Sequence, residues 1–253
     1  MTAKKSHSAK QRSLPLNLMS WLAAVCFIAG LAVIAGFYLE QNTRIHAVDF
    51  SGNYYTDSED LADAIEPVSP VNELADSVDY TILFDTIRPL PYVNEISVSM
   101  NFRGRLTFII NEYEPMGLIV DGSERMYVSE DGILLPVVPG KAKDVPLVYG
   151  FRTSTPGDSL SGKAWNEMES FLTEAKKSTV NWSTLSELAW NENEGVVALS
   201  HENGVKLVFG HEQFSERLAH WELFYTDVIT HEGIDSFRLI DLRFRNQIVT
   251  QQS

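Results

Sequence analysis

Hydrophobic positions along this chain fall into three regimes. From Leu18 to Leu39 they are almost continuous, and no charged residue occurs between Arg12 and Glu40. From Ile45 to Pro115 they alternate with polar residues in short runs, interrupted by two stretches of helical spacing. Beyond Met116 short alternating runs and two longer helical faces succeed one another, the pattern of a mixed α and β chain.

The continuous run is long enough to cross a bilayer. Its 22 residues would rise roughly 33 Å as a helix, against an apolar membrane thickness of about 30 Å. Trp21 and Tyr38 stand near its two ends, where amphipathic rings favour the water interface. Lys4, Lys5, Lys10 and Arg12 precede it, and all 34 acidic residues lie from Glu40 onward. Basic flanks stay on the cytoplasmic side. The pattern therefore predicts a cytoplasmic tail over 1–17, a transmembrane helix over 18–39 and an extracytoplasmic remainder. A cleaved signal peptide is disfavoured because its apolar stretch is only about 7–15 residues.

In the second regime, Ile45 to Phe50 reads as a strand that meets a turn at Gly52-Asn53. Thr56-Asp57-Ser58-Glu59 has the form of a capping box, and Leu61, Ala64 and Ile65 give a short apolar face that Pro67 ends. Tyr80, Leu83, Phe84 and Ile87 make a second helix, stopped by Pro89 and Pro91. Ile96, Val98, Met100 and Phe102 then alternate with polar neighbours, Arg103-Gly104 turns the chain, and Leu106, Phe108 and Ile110 return. The order β-α-α-β-β predicts a three-stranded sheet covered by two helices over 45–115.

In the third regime, Gly117 to Val120 is strand-like, and Asp131-Gly132 lies between apolar runs as a hairpin signal. Val145 to Gly150 adds a short strand. Trp165, Met168, Leu172 and Ala175 share one helical face. Leu185 to Trp190, Val196 to Ser200 and Val205 to Phe209 form a meander with turns at Glu194-Gly195 and Asn203-Gly204. Phe214, Leu218, Trp221, Tyr225 and Val228 define one long helix. Arg238 to Arg245 alternates as a strand, Asn246 suits a tight reversal, and Ile248 to Thr250 is strand-like again.

This succession resembles the bacterial FtsQ/DivIB family. The first module, with IRPLPYVNEISV and the exit Glu112-Tyr113-Glu114-Pro115, looks like a POTRA domain. It keeps the family's Glu and Pro but lacks the basic residue between them. The second module, 116–253, looks like the family's β domain. It has Arg217-Leu218 on the last helix, Asp241-Leu242-Arg243-Phe244 on the strand that follows, and an edge strand from Arg245 to Thr250. The resemblance implies an α+β fold and a non-enzymatic scaffold at the septum of the inner membrane. The implied partners are small coiled-coil division proteins of the FtsB/DivIC and FtsL type, with others reaching the POTRA domain. The implied partner-binding residues are Arg217, Phe244, Asn246, Gln247, Ile248, Val249 and Thr250, the last four through an edge to which a partner adds a strand. Against that, the parity of Phe244 with Ile240 and Leu242 equally suits a buried core ring, and the plain structural alternatives are a core Ile248 and an Arg217 in a surface ion pair.

Composition narrows the chemistry. A net charge of −14 is unsuited to nucleic acid. Cys26 is the single cysteine, which leaves no disulfide within the chain and no cysteine zinc site. Gly157 to Lys163 spells the phosphate-loop pattern, but Ala164 follows where magnesium binding needs Ser or Thr, so a polar loop at a helix start is expected. His201, His211 and His231 each precede Glu without completing HExxH. No cofactor, metal or catalytic residue is expected. Two other readings are an assembly or secretion factor built on POTRA units and an anchored extracytoplasmic enzyme. The first would show repeated units and a barrel, and the second a convergent polar site.

Overall fold

The computed structural model describes residues 16–41, 43–245 and 247–253. Tail residues 1–15 and the turn residue Asn246 therefore lie outside the described residues. The chain separates into two units, Met1–Asp49 with Ser69–Tyr80 and Val98–Thr107, and Phe50–Val68 with Thr81–Ser97 and Phe108–Ser253.

Helix α1, Leu16–Gln41, contains the whole predicted span. Side chains are described in it for 20–34 and 36. No helix among the described residues is long and apolar enough to cross a membrane. Those described are bare: Trp21 is 73% exposed, Phe27 67% and Ile34 66%.

After α1 the first unit is held by main-chain bonds. Ala75 N donates to Thr43 O (3.1 Å), Ile45 N to Glu73 O (2.9 Å), Asn72 N to Ile45 O (2.7 Å) and His46 N to Gly104 O (2.7 Å). Ile45 is fully buried. Strands β1, Ala47–Ser51, β2, Val93–Met100, and β3, Arg105–Glu112, form a sheet in the order β1-β3-β2. Helices α2, Ser58–Ile65, and α3, Tyr80–Ile87, intervene in sequence between β1 and β2.

The capping box does not form as expected. Asp57, not Thr56, occupies the cap of α2, and its side chain makes no cap bond. A distant side chain gathers the amides just ahead of that cap. The Glu112 carboxylate accepts from the amides of Tyr54 (2.6 Å), Tyr55 (2.7 Å) and Thr56 (2.7 Å). Phe102 is a second departure: the alternation put it on the inner face of β2, yet that strand ends at Met100 and Phe102 stands in the turn, 84% exposed.

The second unit carries a nine-stranded mixed sheet. Its strands are β4, Pro115–Asp121; β5, Glu124–Ser129; β6, Leu134–Pro136; β7, Leu147–Tyr149; β8, Leu185–Asn191; β9, Gly195–Ser200; β10, Lys206–Gly210; β11, Phe237–Asp241; and β12, Val249–Gln252. Their spatial order is β12-β11-β10-β9-β8-β7-β4-β5-β6. The β4–β7, β7–β8 and β10–β11 pairs are parallel and the others antiparallel. Helices α4, Lys163–Ala175, α5, Thr179–Thr184, and α6, Phe214–Phe224, supply the core that the sheet buries. Trp165, Met168, Phe171 and Leu172 of α4 and Leu218 and Trp221 of α6 pack with Val196, Leu207, Phe209 and Ile240.

Three sequence expectations change here. Helix α5 was not foreseen: Ser178 caps it through its hydroxyl, and Thr184 closes it by bonding back to Val180 O. The long helix is regular only to Phe224, and Tyr225–Ile229 forms a π-helical turn. The strand expected over 238–245 stops at Asp241, and the edge strand expected over 245–250 is instead β12.

Candidate partner-binding edge

The two outer strands of the large sheet meet different fates. At β6, Leu134 N donates to Asp158 O and Gly157 N to Leu134 O (both 2.8 Å), while Leu160 N donates to Gly132 O (2.9 Å). The stretch that spells a phosphate loop thus zips along a strand edge. Three of its amides, those of Gly157, Asp158 and Leu160, are already engaged by carbonyls, so it offers no cradle for a phosphate. At β12 no further strand follows among the described residues, and Val249 to Gln252 are all exposed.

The direction of the free groups on β12 follows from its neighbours. Leu242 N bonds to Val208 O of β10, so by alternation Ile240 also turns toward β10 and Leu239 and Asp241 turn toward β12. Their partners in register are Gln251 and Val249. Ser253 N bonds to Ser236 O, in the same phase. The amides and carbonyls of Thr250 and Gln252 therefore point away from the sheet, free for another strand.

Beside this edge lies an open cavity of about 520 Å³ lined by His220, Leu223, Phe224, Asp227, Val228, Gln247 and Ile248. Ile248 packs against the main core and anchors the approach to β12. Leu223 and Val249 are exposed apolar side chains at or near its rim. The π-helical turn sets part of this wall. It adds one residue to a helical turn, which rotates the side chains that follow relative to a regular helix.

Beneath the edge is a charged lattice. Arg243 grips Asp241 through Nε to Oδ1 (2.9 Å) and Nη2 to Oδ2 (2.6 Å), with Arg243 N adding a third bond (3.1 Å). Burial alone would push the Asp241 carboxyl up, but these bonds and the guanidinium charge outweigh it and hold it below the ordinary aspartate range. Lys206 likewise lowers Glu194, by hydrogen bonds of 2.7 and 2.9 Å. Arg217, in α6, is only 9% exposed, and its Nη1 donates to Phe209 O. Burial lowers its basicity. Gly210, next to that carbonyl, has φ +81°, and a Cβ there would run into the Arg217 guanidinium.

The structure thus brings together Gln247, Ile248, Val249 and Thr250 at the edge. Arg217 is not brought to that edge: its charged head lies on the Phe209 carbonyl, near the end of β10. Phe244 is 45% exposed, beyond the end of β11, so its parity with Ile240 and Leu242 does not carry it into the core. Asn246 lies outside the described residues. Leu223, Phe224, His220 and Asp227 escaped sequence reasoning. The usable signal is one apolar residue, Leu223, lying off the stripe that Phe214, Leu218 and Trp221 bury.

Of the histidines singled out in the sequence, His211 meets a carboxylate. His211 Nδ1 lies 2.8 Å from Glu167 Oε2, which also accepts from Trp190 Nε1 (2.6 Å). Among the described residues no group of His, Cys, Asp and Glu is arranged to hold a metal ion.

The second unit is an α+β domain whose sheet has one edge covered by the chain's own loop and the other, among the described residues, bare beside a partly apolar hollow. The chain belongs to the FtsQ/DivIB, C-terminal related family, whose model matches residues 114–251. It is 26% identical over 265 residues to the cell division protein FtsQ of Rhodothermus marinus, a match covering 100% of this chain and 95% of that protein. It also matches the major extracytoplasmic domain of the trans isomer of the cell division protein DivIB from Geobacillus stearothermophilus. That match has 19% identity over 47% of this chain and 97% of the other, with a TM-score of 0.34.

Proposed function

We propose that this protein is a non-enzymatic cell-division scaffold of the inner membrane. Leu18 to Leu39 cross the bilayer once, the tail is cytoplasmic, and residues 40–253 are extracytoplasmic at the septum. Residues 45–115 act as a POTRA domain open to other division proteins, and 116–253 act as the recruiting module. A partner of the FtsB/DivIC type, with an FtsL-type companion, adds a strand to β12. Its apolar side chains enter the hollow formed by Leu223, Phe224, Val228 and Ile248. Phe244 and Gln247 flank that contact, and Arg217 holds its frame from behind.

One observation carries the reading: Thr250 and Gln252 turn their main-chain groups outward on an edge that nothing among the described residues covers. The covered edge at β6 supports it by contrast, since an unprotected edge invites pairing and is left so where pairing is useful. The test is a photo-crosslinker at Val249 in growing cells, with the captured protein identified. Capture of a small single-pass coiled-coil division protein, lost in Thr250→Pro, is the expected result. Crosslinks confined to this chain would overturn the partner site.

A further inference from the structure

The first unit gathers a surface that the reading above leaves unused. The turn of the β2–β3 hairpin, Asn101 to Gly104, is hydrogen-bonded to the segment that leaves α1, through His46 N to Gly104 O (2.7 Å). Gly104 has φ +74°, and a Cβ there would collide with Arg44 O, so the turn is seated tightly on that segment. From Gln41 to His46 the chain spans at most roughly 18 Å even when fully extended. The turn is therefore tethered close to the end of the helix read as the membrane span. Asn101 makes the turn stiff: its Oδ1 accepts from the amides of Arg103 (2.9 Å) and Arg105 (3.1 Å), and Gly104 N bonds back to Asn101 O (3.0 Å).

On this stiff turn stands Phe102, 84% exposed, with the Arg103 guanidinium 5.5 Å from its ring centre. The neighbouring loop adds Val71 and Leu74, each more than a third exposed, with Leu74 bridged to Arg44. A fixed aromatic with an adjacent cation, close to a membrane helix, is the chemistry of a headgroup anchor. The ring enters the acyl boundary while the guanidinium meets phosphate. Glu73 and Asp76 lie on the same loop, so this is no polybasic patch, and the apolar ring must carry the contact.

We propose that Phe102, with Arg103, inserts into the outer interface of the protein's own bilayer and fixes the orientation of the first module on the membrane. This rests on the single-pass reading of α1. The occupant is lipid because the tip is bonded to residues that emerge directly from that helix.

The test uses the full chain in vesicles of phosphatidylethanolamine and phosphatidylglycerol. Arg103→Cys in a Cys26→Ser background, which removes the guanidinium and leaves the Phe102 ring to carry the contact, carries an environment-sensitive fluorophore, and nitroxide lipids serve as quenchers. The expected result is severalfold more quenching at 103 than for the same label at exposed Glu124→Cys, with the excess lost on adding Phe102→Asp. Native Cys26, labelled in the otherwise unaltered chain, reports the span itself. Lipid quenching at Cys26 but none in excess at 103 overturns the anchor and leaves the span standing. No quenching at Cys26 overturns both. Excess quenching that survives Phe102→Asp, or a shielded but unquenched label that signals a second copy of the chain, also overturns the anchor.

Discussion

Asp241 and Arg243 lie two residues apart and grip each other side by side, the carboxylate filling the guanidinium fork at 2.6 and 2.9 Å. Residues i and i+2 share a face in a strand, so the pair would persist in any extended backbone. Here it forms where β11 ends, and it turns the chain toward the approach to β12.

Removing the charge should therefore loosen the edge. Asp241→Asn is expected to cost about 1–2 kcal/mol, less than a wholly buried charged pair because Arg243 is 38% exposed. The carboxyl is lowered in the folded chain, so its contribution is full above the unfolded value of 3.8 and is lost as pH falls through the folded one. Urea unfolding at pH 7 and at pH 3 checks this, and the gap between the two proteins should be smaller at the lower pH.

Stability and partner capture should separate at α6. Arg217→Met leaves the buried Phe209 carbonyl without its donor and should cost about 1–3 kcal/mol. Leu223→Asp changes an exposed side chain and should move stability by less than about 0.5 kcal/mol, yet abolish crosslinking from Val249. Thermal unfolding of both variants beside the crosslink assay tests the division of labour.

Proline placement along β12 should follow the alternation of the strand. Val249→Pro deletes an amide that faces β11 and should weaken the protein itself, whereas Thr250→Pro deletes one that faces outward. Only the second should leave the unfolding midpoint unchanged while capture is lost. Equal destabilisation by both would mean that the free groups are not those of Thr250 and Gln252.

Glu112 should prove a structural keystone. Its carboxylate gathers three successive amides, so Glu112→Gln, which replaces one oxygen by a donor, should cost about 1.5–3 kcal/mol. Hydrogen exchange at Tyr54, Tyr55 and Thr56 should accelerate in that variant before global unfolding. Unchanged protection would show that the carboxylate is dispensable there.

Much of this protein is legible in its sequence because local pattern and final structure agree. Apolar continuity between Arg12 and Glu40 dictates one long helix. Strict alternation from Glu95 to Met100 gives β2, and Gly195 and Gly204 mark turns of the meander. Even the last short strand at Val249 and Thr250 can be read, since it follows a strongly patterned strand near turn residues. What the tertiary structure alone decides is where local rules lose to distant partners. Thr56 is a sound cap in isolation, but the helix cap falls one residue later, at Asp57, and the Thr56 amide goes to Glu112, fifty-six residues away. Arg217 reads as a surface cation, but α6 packs against β10 and turns its guanidinium onto the Phe209 carbonyl. Phe102 continues an inward alternation, but the hairpin turns two residues sooner and leaves the ring outside. Periodicity reports which face of an element is apolar. Only the packed fold decides where the element stops and which buried polar group must be satisfied by what lies across from it.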